Sequence, residues 1–298
     1  MSTFLLACAF GFIQVVTPAA TARAPEKAPL TVSVDWLVQH IDDANLIVIH
    51  TGDRAEYDTG HIPGALFLPL TDIATPFTSD PMFELLPPEQ LQAAFDRLGM
   101  NNDSRIVVCF GKDVIQAAAR VMFTLDYVGL GPQSSLLDGG LSAWRAAGKA
   151  LTSVVRTPPR GKLTPKIQEG LVVDLEAVRS LLNKPGVTLV DARLPNFYRG
   201  ESAGRASRAG HIPGAVNLPY TSLFDESLKI KGRAELEALF REAGVKPGAR
   251  VVTYCHVGQT ASLVYLVARY LGFETSLYDG SYTEWSSKQD LPVEKSNN

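Results

Sequence analysis

The sequence predicts an α/β protein with two tandem domains, each a mainly parallel sheet flanked by helices. The chain of 298 residues is long enough for about two domains. Within each half, short β-branched runs alternate with helical segments, which is typical of a parallel sheet. Three motifs also recur in the same order: GHIPGALFLP (60–69) and GHIPGAVNLP (210–219), RIVVCFGK (105–112) and RVVTYCHV (250–257), LLDGGLSAW (136–144) and LYDGSYTEW (277–285).

The second half shows the alternation most clearly. Its helix over 260–272 is apolar nearly all round and should be buried on most sides, with Gly272 as a C-cap. The predicted elements are, in order, a strand VTLVDAR (187–193), an amphipathic helix AELEALFREAG (234–244), a strand ARVVTYC (249–255), the helix TASLVYLVARYLG (260–272) and a short strand and turn TSLYDG (275–280).

The domain boundaries follow from composition. Residues 151–168 are rich in Pro, Gly and Lys and lack periodicity, so we interpret them as a linker between domains at 30–150 and 169–293. The first 22 residues resemble a secretory signal peptide, with an apolar run and an Ala-Thr-Ala cleavage pattern. Its positive charge is only the α-amino group, so an uncleaved anchor or a wrongly assigned start stays an alternative. A cleaved signal predicts a periplasmic or secreted protein.

The bulk composition excludes several classes of partner. The chain is 46% hydrophobic and 20% charged, with a formal net charge of -3 and no basic block. Nucleic acid is therefore not expected as a partner, nor is a membrane once the signal is removed. The three cysteines are too few for a disulfide framework. Cys109 and Cys255 remain after signal removal, and a redox protein that joins them is one alternative.

Cys255 ends a predicted strand, and a short loop separates it from the next helix. Ligands gather beyond the carboxyl ends of strands in such sheets. Amides of the loop and of the helix start lack helical partners and can converge on the sulfur, which favours the reactive thiolate. Gly258 lets this backbone curl. The alternative is a buried thiol that only fills space.

The first half carries no equivalent nucleophile. Counting from Arg105 as from Arg250, the position of Cys255 falls on Phe110. Cys109 is one residue earlier, so strand alternation turns it to the other face. We therefore expect the first domain to be catalytically inactive and to shape the cleft between the domains.

The repeated GHIPGA, the DAR after a strand, the cysteine loop and the DG turn before a Trp resemble the rhodanese family. More narrowly, residues 30–293 resemble the two-domain thiosulfate sulfurtransferases. The resemblance implies that Cys255 takes a sulfur from thiosulfate as a persulfide and passes it to cyanide, a thiol or a protein acceptor. No metal or organic cofactor is implied. Related cysteine phosphatases close a longer loop with an arginine, which this loop lacks.

The resemblance also implies a donor site around the loop. Its candidate residues are His256, Val257, Gly258, Gln259, Thr260, Arg199 and Arg205. A protonated His256 would help to hold the thiolate, and a neutral exposed imidazole is the alternative. Arg193 is expected to pair with a carboxylate near its strand end, and Asp138 and Asp279 are interpreted as turn residues.

The loop departs from the family pattern in ways that leave the donor open. Thiosulfate-using relatives often carry Arg or Lys in the two places after the cysteine, where this chain has His256 and Val257. Mercaptopyruvate-using relatives show Gly-Ser there. Phe197 stands where the family has one donor arginine. The alternatives are a 3-mercaptopyruvate sulfurtransferase and a sulfur carrier that receives its persulfide from a partner.

Overall fold

The computed structural model describes residues 28–112 and 114–296. The predicted signal peptide at 1–22 lies outside the described residues. The first half contains β1 (Thr31–Val32), α1 (Val34–His40), β2 (Leu46–Thr51), α2 (Arg54–Thr59), β3 (Leu66–Phe67), α3 (Pro88–Arg97), β4 (Arg105–Phe110), α4 (Ile115–Tyr127), β5 (Ser134–Leu137) and α5 (Gly140–Ala146).

The second half repeats this order of elements. It contains β6 (Val172–Val173), α6 (Leu175–Leu181), β7 (Val187–Asp191), α7 (Pro195–Tyr198), β8 (Val216–Asn217), α8 (Arg233–Glu242), β9 (Arg250–Tyr254), α9 (Ala261–Leu271), β10 (Thr275–Tyr278) and α10 (Ser281–Ser287). The strands and helices predicted between residues 187 and 280 are confirmed. Gly272 ends α9 in the left-handed region, with φ of +97°, as its C-cap role requires.

Each half forms one five-stranded sheet. The strand orders are β1-β5-β4-β2-β3 and β6-β10-β9-β7-β8, and the paired strands within both sheets run parallel. The predicted fold class is confirmed. β4 and β9 are the central strands, so the residues that follow them lie at the middle of each carboxyl edge, where ligands of such sheets gather.

The two halves share an apolar core. Helices α4 and α9 pack against each other, and the ring of Phe123 meets that of Tyr265 edge to face at 4.8 Å. One buried apolar cluster runs through both halves, and it includes α9 residues such as Leu263 and Val264. The helix over 260–272 is therefore buried on most sides, as its composition predicts.

The segment predicted as a linker is irregular but attached to the first half. Thr152 exchanges two backbone hydrogen bonds with His61, and Leu163 donates its amide to Asp96 Oδ1 at 2.8 Å. Leu163 is also buried in the shared core. Among the described residues, none of the helices combines the length and apolar character that crossing a membrane requires.

Candidate active site

Cys255 lies where the sequence places it, directly after the central strand β9 and before α9. Its side chain, however, is only 2% exposed and belongs to the apolar cluster shared by the two halves. The side chain is therefore not open to solvent in this structure. A donor must pass between neighbouring side chains to reach Sγ.

The backbone of Cys255 is held by the first turn of α10. The amide of Cys255 donates to Ser281 Oγ at 3.2 Å, and that hydroxyl donates to the carbonyl of Tyr278 at 2.8 Å. The amides of Tyr282 and Thr283 donate to the carbonyls of Cys255 and His256 at 2.9 and 3.0 Å. These bonds fix the position from which the sulfur projects.

The amides that follow Cys255 are free. Within the part of the chain that the structure describes, no protein atom accepts a hydrogen bond from the amides of residues 256–260. Val257 and Gly258 are buried, and buried amides without an acceptor are costly and rare in folded proteins. Successive unpaired amides at a helix start suit an anion, such as a thiolate or an oxyanion group of a donor. The loop therefore has the donors that the sequence predicts.

Gly258 makes this loop geometry possible. Its φ is +79°, in the left-handed region that side chains rarely adopt. An added Cβ would lie 2.8 Å from Asp279 Oδ1 and 3.1 Å from a guanidinium nitrogen of Arg120. The loop backbone thus approaches a buried ion pair too closely for any side chain at this position.

His256 is neutral rather than cationic. Burial, and then the positive charge of Arg193, lowers the pKa of His256 to about 4. Its Nε2 is buried without a partner among the described residues, and its ring meets that of Phe197 edge to face at 4.8 Å. The protonated alternative is wrong at neutral pH, and the imidazole is half-buried instead of exposed.

Val257 faces the first half of the protein, and the loop residues Gln259 and Thr260 are half-buried. Val257 packs in a small cluster with Ala74 and Phe83. The first half therefore forms one wall of the loop that carries Cys255, as the cleft-shaping prediction requires. Contact of these loop residues with a donor stays a prediction.

The two candidate donor arginines have different surroundings. Arg199 donates from Nε to Glu201 Oε1 at 2.6 Å at the surface. Arg205 is exposed, lies over the ring of Phe77 from the first half at 5.7 Å, and contributes to the lowered pKa of His256. Of the two candidates, Arg205 is therefore the one whose charge reaches the loop, while donor contact by either arginine stays a prediction.

Arg193 has the structural role predicted for it. Its guanidinium donates from Nε and Nη2 to both carboxylate oxygens of Asp191 in a fully buried pair and lies over the ring of Tyr282 at 4.0 Å. The neighbouring charge of Asp191 raises the pKa of Arg193 against the opposing effect of burial. This pair supports the strand end beneath the site.

Sequence reasoning missed Ser281, Tyr220 and Arg120. Tyr220 lies near Cys255, since its pKa is raised first by burial and second by the thiolate charge. Asp279 was interpreted as a turn residue, but its carboxylate forms a buried ion pair with Arg120. The one available signal was a charged Arg120 within the apolar run of α4.

The corresponding loop of the first half is closed by protein groups. Phe110 fills the position of Cys255 and is buried in the shared apolar cluster, while Cys109 is buried in a different cluster on the other face. The amide of Lys112 donates to a carboxylate oxygen of Glu56 at 2.9 Å. The carboxylate of Glu56 thus accepts a hydrogen bond from an amide that would be free to bind a ligand in an anion site.

The redox alternative is wrong. Cys109 and Cys255 are both free thiols and lie in separate apolar clusters. Burial also raises the pKa of the Cys109 thiol strongly. Cys109 therefore has neither the partner nor the ionisation that chemistry would need.

Replacing Cys109 by serine is expected to leave turnover within about twofold of the native rate. The hydroxyl is buried in an apolar cluster, so the free energy of unfolding should fall by about 1–3 kcal/mol. Steady-state kinetics on folded protein and chemical denaturation check both numbers. A large loss of turnover in fully folded protein would contradict the assignment of the first half.

The acidic side chain of Glu84 makes stability depend on pH. Burial, then Asp279 and Glu284, raise its pKa from 4.5 to about 7, while Arg120 opposes the shift. Because the folded state prefers the protonated acid, protonated Glu84 stabilises the fold fully below pH 4.5. This stabilisation is lost as pH rises through about 7.

The variant Glu84→Gln should therefore be more stable than the native protein at pH 8 and nearly equal at pH 4.5. We expect a gain of about 1–2 kcal/mol, discounted for partial exposure. Urea unfolding at the two pH values measures it. The exposed neighbour Glu89 supplies the control Glu89→Gln, and an equal pH-dependent gain there would contradict the assignment.

Comparison with known proteins agrees with this geometry. A model of the rhodanese-like domain matches residues 33–147 and 174–288. Thiosulfate sulfurtransferase of Azotobacter vinelandii is 32% identical over 268 residues, which cover 89% of this chain and 97% of the relative. Sulfur carrier protein TtuD of Thermus thermophilus is 32% identical over 279 residues, which cover 89% and 96%.

A solved structure shows the same architecture. SseA from Escherichia coli, a 3-mercaptopyruvate sulfotransferase of rhodanese fold, aligns with a TM-score of 0.77 at 30% identity over 86% of this chain and 99% of that one. Two parallel sheets in tandem, with a cysteine loop at the centre of the second, define a tandem rhodanese-like protein. The chain belongs to the rhodanese-like family of sulfurtransferases.

Proposed function

We propose that the chain transfers a sulfane sulfur from thiosulfate to a thiophilic acceptor through a persulfide on Cys255. The observation that carries the proposal is the set of free amides of residues 256–260 beside that thiol. They hold negative charge on the sulfur before attack and on the terminal sulfur afterwards. The relative from Azotobacter vinelandii supports thiosulfate as the donor.

The reaction runs in two balanced displacements. The Cys255 thiolate attacks the outer sulfur of thiosulfate, the S–S bond of the donor breaks, and sulfite leaves with the electron pair. The enzyme then carries a persulfide anion. Cyanide, or a thiolate, attacks the terminal sulfur, and the electron pair of the broken S–S bond returns to Cys255.

The loop needs a cation from outside itself to attract a dianionic donor. His256 is neutral, so it supplies none. Arg205 is exposed beside His256, and its guanidinium can donate two parallel hydrogen bonds to two oxygens of a sulfonate group. We assign the donor oxygens to the side of the loop that faces Arg205.

The experiment is incubation with thiosulfate followed by intact mass and by rate measurement. A gain of one sulfur atom, released as thiocyanate by cyanide, is expected. An unchanged mass in protein whose thiol is shown to be reduced would overturn the proposal. Faster loading from 3-mercaptopyruvate would assign that donor instead, and loading only in the presence of a protein partner would indicate a sulfur carrier.

The export of the chain is part of the same proposal. The apolar run of residues 4–16 and the cleavage pattern ending at Ala22 support it. The protein recovered from the periplasm or medium should begin near Arg23. A protein that keeps its first residues and stays inside the cell would contradict it.

A further inference from the structure

Two contacts of the same kind join the halves. The aspartate of each DG turn accepts an amide hydrogen bond from a loop of the other half. Asp138 Oδ1 accepts from Ile230 at 3.2 Å, and Asp279 Oδ2 accepts from Leu85 at 2.7 Å. We call the first the Asp138 clasp and the second the Asp279 clasp. The Asp279 clasp lies beside the loop that carries Cys255.

The loops that supply these amides are built alike. An isolated antiparallel bridge pairs Phe224 with Ile230 in one and Ala74 with Leu85 in the other. Each loop also holds a non-glycine residue at positive φ, Leu228 at 58° and Phe83 at 59°. Backbone strain at matching places shows that the clasps are duplicated features of the fold.

An ion pair reinforces only the Asp279 clasp. Arg120 of α4 is 0% exposed and donates to Asp279 at 2.6 and 3.2 Å and to the carbonyl of Phe83 at 3.0 Å. Within the described residues, Asp138 forms no ion pair. Duplication of the domain therefore does not explain Arg120. Its presence at the clasp beside Cys255 requires another reason.

The Asp279 clasp bears directly on the catalytic loop. The nearest atoms to a Cβ at Gly258 would be those of Asp279 and Arg120. Two residues beyond Asp279, Ser281 accepts the amide of Cys255, and its own φ is 55°. Moving Asp279 would thus shift both the middle of the loop and the hydroxyl that holds the nucleophile's backbone.

We propose that Arg120 is a positioning residue, through which the first half fixes Asp279 and so the amides around Cys255. The inference rests on the proposed function for its kinetic consequence, but not for its effect on the thiol. Burying the ion pair of Arg120 and Asp279 has a desolvation cost. In return, two hydrogen bonds from the guanidinium hold the Asp279 carboxylate in one orientation. The first half is then part of the active site although it has no nucleophile.

The test compares matched variants in the full chain. Arg120→Met and Asp279→Asn should lower kcat/KM for thiosulfate about 10²-fold, mainly through kcat. Asp138→Asn makes the same chemical change in the unreinforced clasp and should stay within about threefold of native. Arg120→Lys keeps one charge but not the fork, so it should recover part of the rate.

A second readout follows the thiol itself. Alkylation of Cys255 by iodoacetamide, located by peptide mass, reports how readily its sulfur reacts. Misplaced amides should slow this alkylation about tenfold in Arg120→Met and leave its rate unchanged in Asp138→Asn. This readout needs no sulfur donor, so it stands even if thiosulfate proves to be the wrong substrate.

The double variant Arg120→Met/Asp279→Asn separates positioning from stability. It leaves no unpaired buried charge, so it should fold as stably as the native protein even if Arg120→Met does not. We expect its turnover and alkylation rate to stay as impaired as those of Asp279→Asn. Native turnover and a native alkylation rate in the stable double variant would overturn the proposal.

Discussion

Replacing Cys255 by serine is expected to lower kcat/KM for sulfur transfer at least about 10⁴-fold. The serine hydroxyl stays protonated beside the same free amides, and its oxygen cannot form a persulfide. Its smaller buried side chain should change the free energy of unfolding by only about 1–2 kcal/mol. Thiocyanate formation from thiosulfate and cyanide measures the turnover.

The control is the same substitution in the other half. Cys109→Ser also exchanges a buried thiol for a hydroxyl, so the two variants differ in position and not in chemistry. The catalytic assignment requires that only the Cys255 variant loses both turnover and the sulfur gained from thiosulfate. A Cys255→Ser protein with more than a tenth of native turnover would show that another group carries the sulfur.

The fold was predictable because its signals are local. Alternation of β-branched runs and helices placed β7, β9, α9 and β10, and a parallel sheet orders such elements almost by itself. The position of Cys255 followed from the same reasoning, since the end of a central strand is where a loop meets a helix start. Local pattern alone also showed that Cys109 faces away.

The surroundings of the site were not predictable in the same way. The burial of Cys255 and the neutrality of His256 depend on segments distant in sequence, including the apolar cluster shared with the first half and the loop near Phe197. The ion pair between Arg120 and Asp279 joins residues 159 positions apart. No periodicity links such residues, and packing between the halves, such as that of α4 on α9, brings them together.

Gly258→Ala is the second variant with a large expected effect. The alanine would have to adopt φ of +79°, and its methyl group would lie 2.8 Å from Asp279 Oδ1. Either the loop or the Asp279 clasp must therefore move. The backbone strain costs about 1–2 kcal/mol, and displacement of a buried ion pair adds about 1–3 kcal/mol. We expect sulfur transfer to fall about 10²-fold, because the free amides lose their common focus.

Gly186→Ala isolates the strain from the collision. Gly186 has the same φ of +79°, but nothing lies within 4 Å of an added Cβ. It should therefore show the strain cost alone in urea unfolding, with turnover close to native. If both alanine variants lost stability equally and both kept native turnover, the loop would tolerate a side chain at its curl. The close approach of Gly258 to Asp279 would then have no part in holding the amides around Cys255.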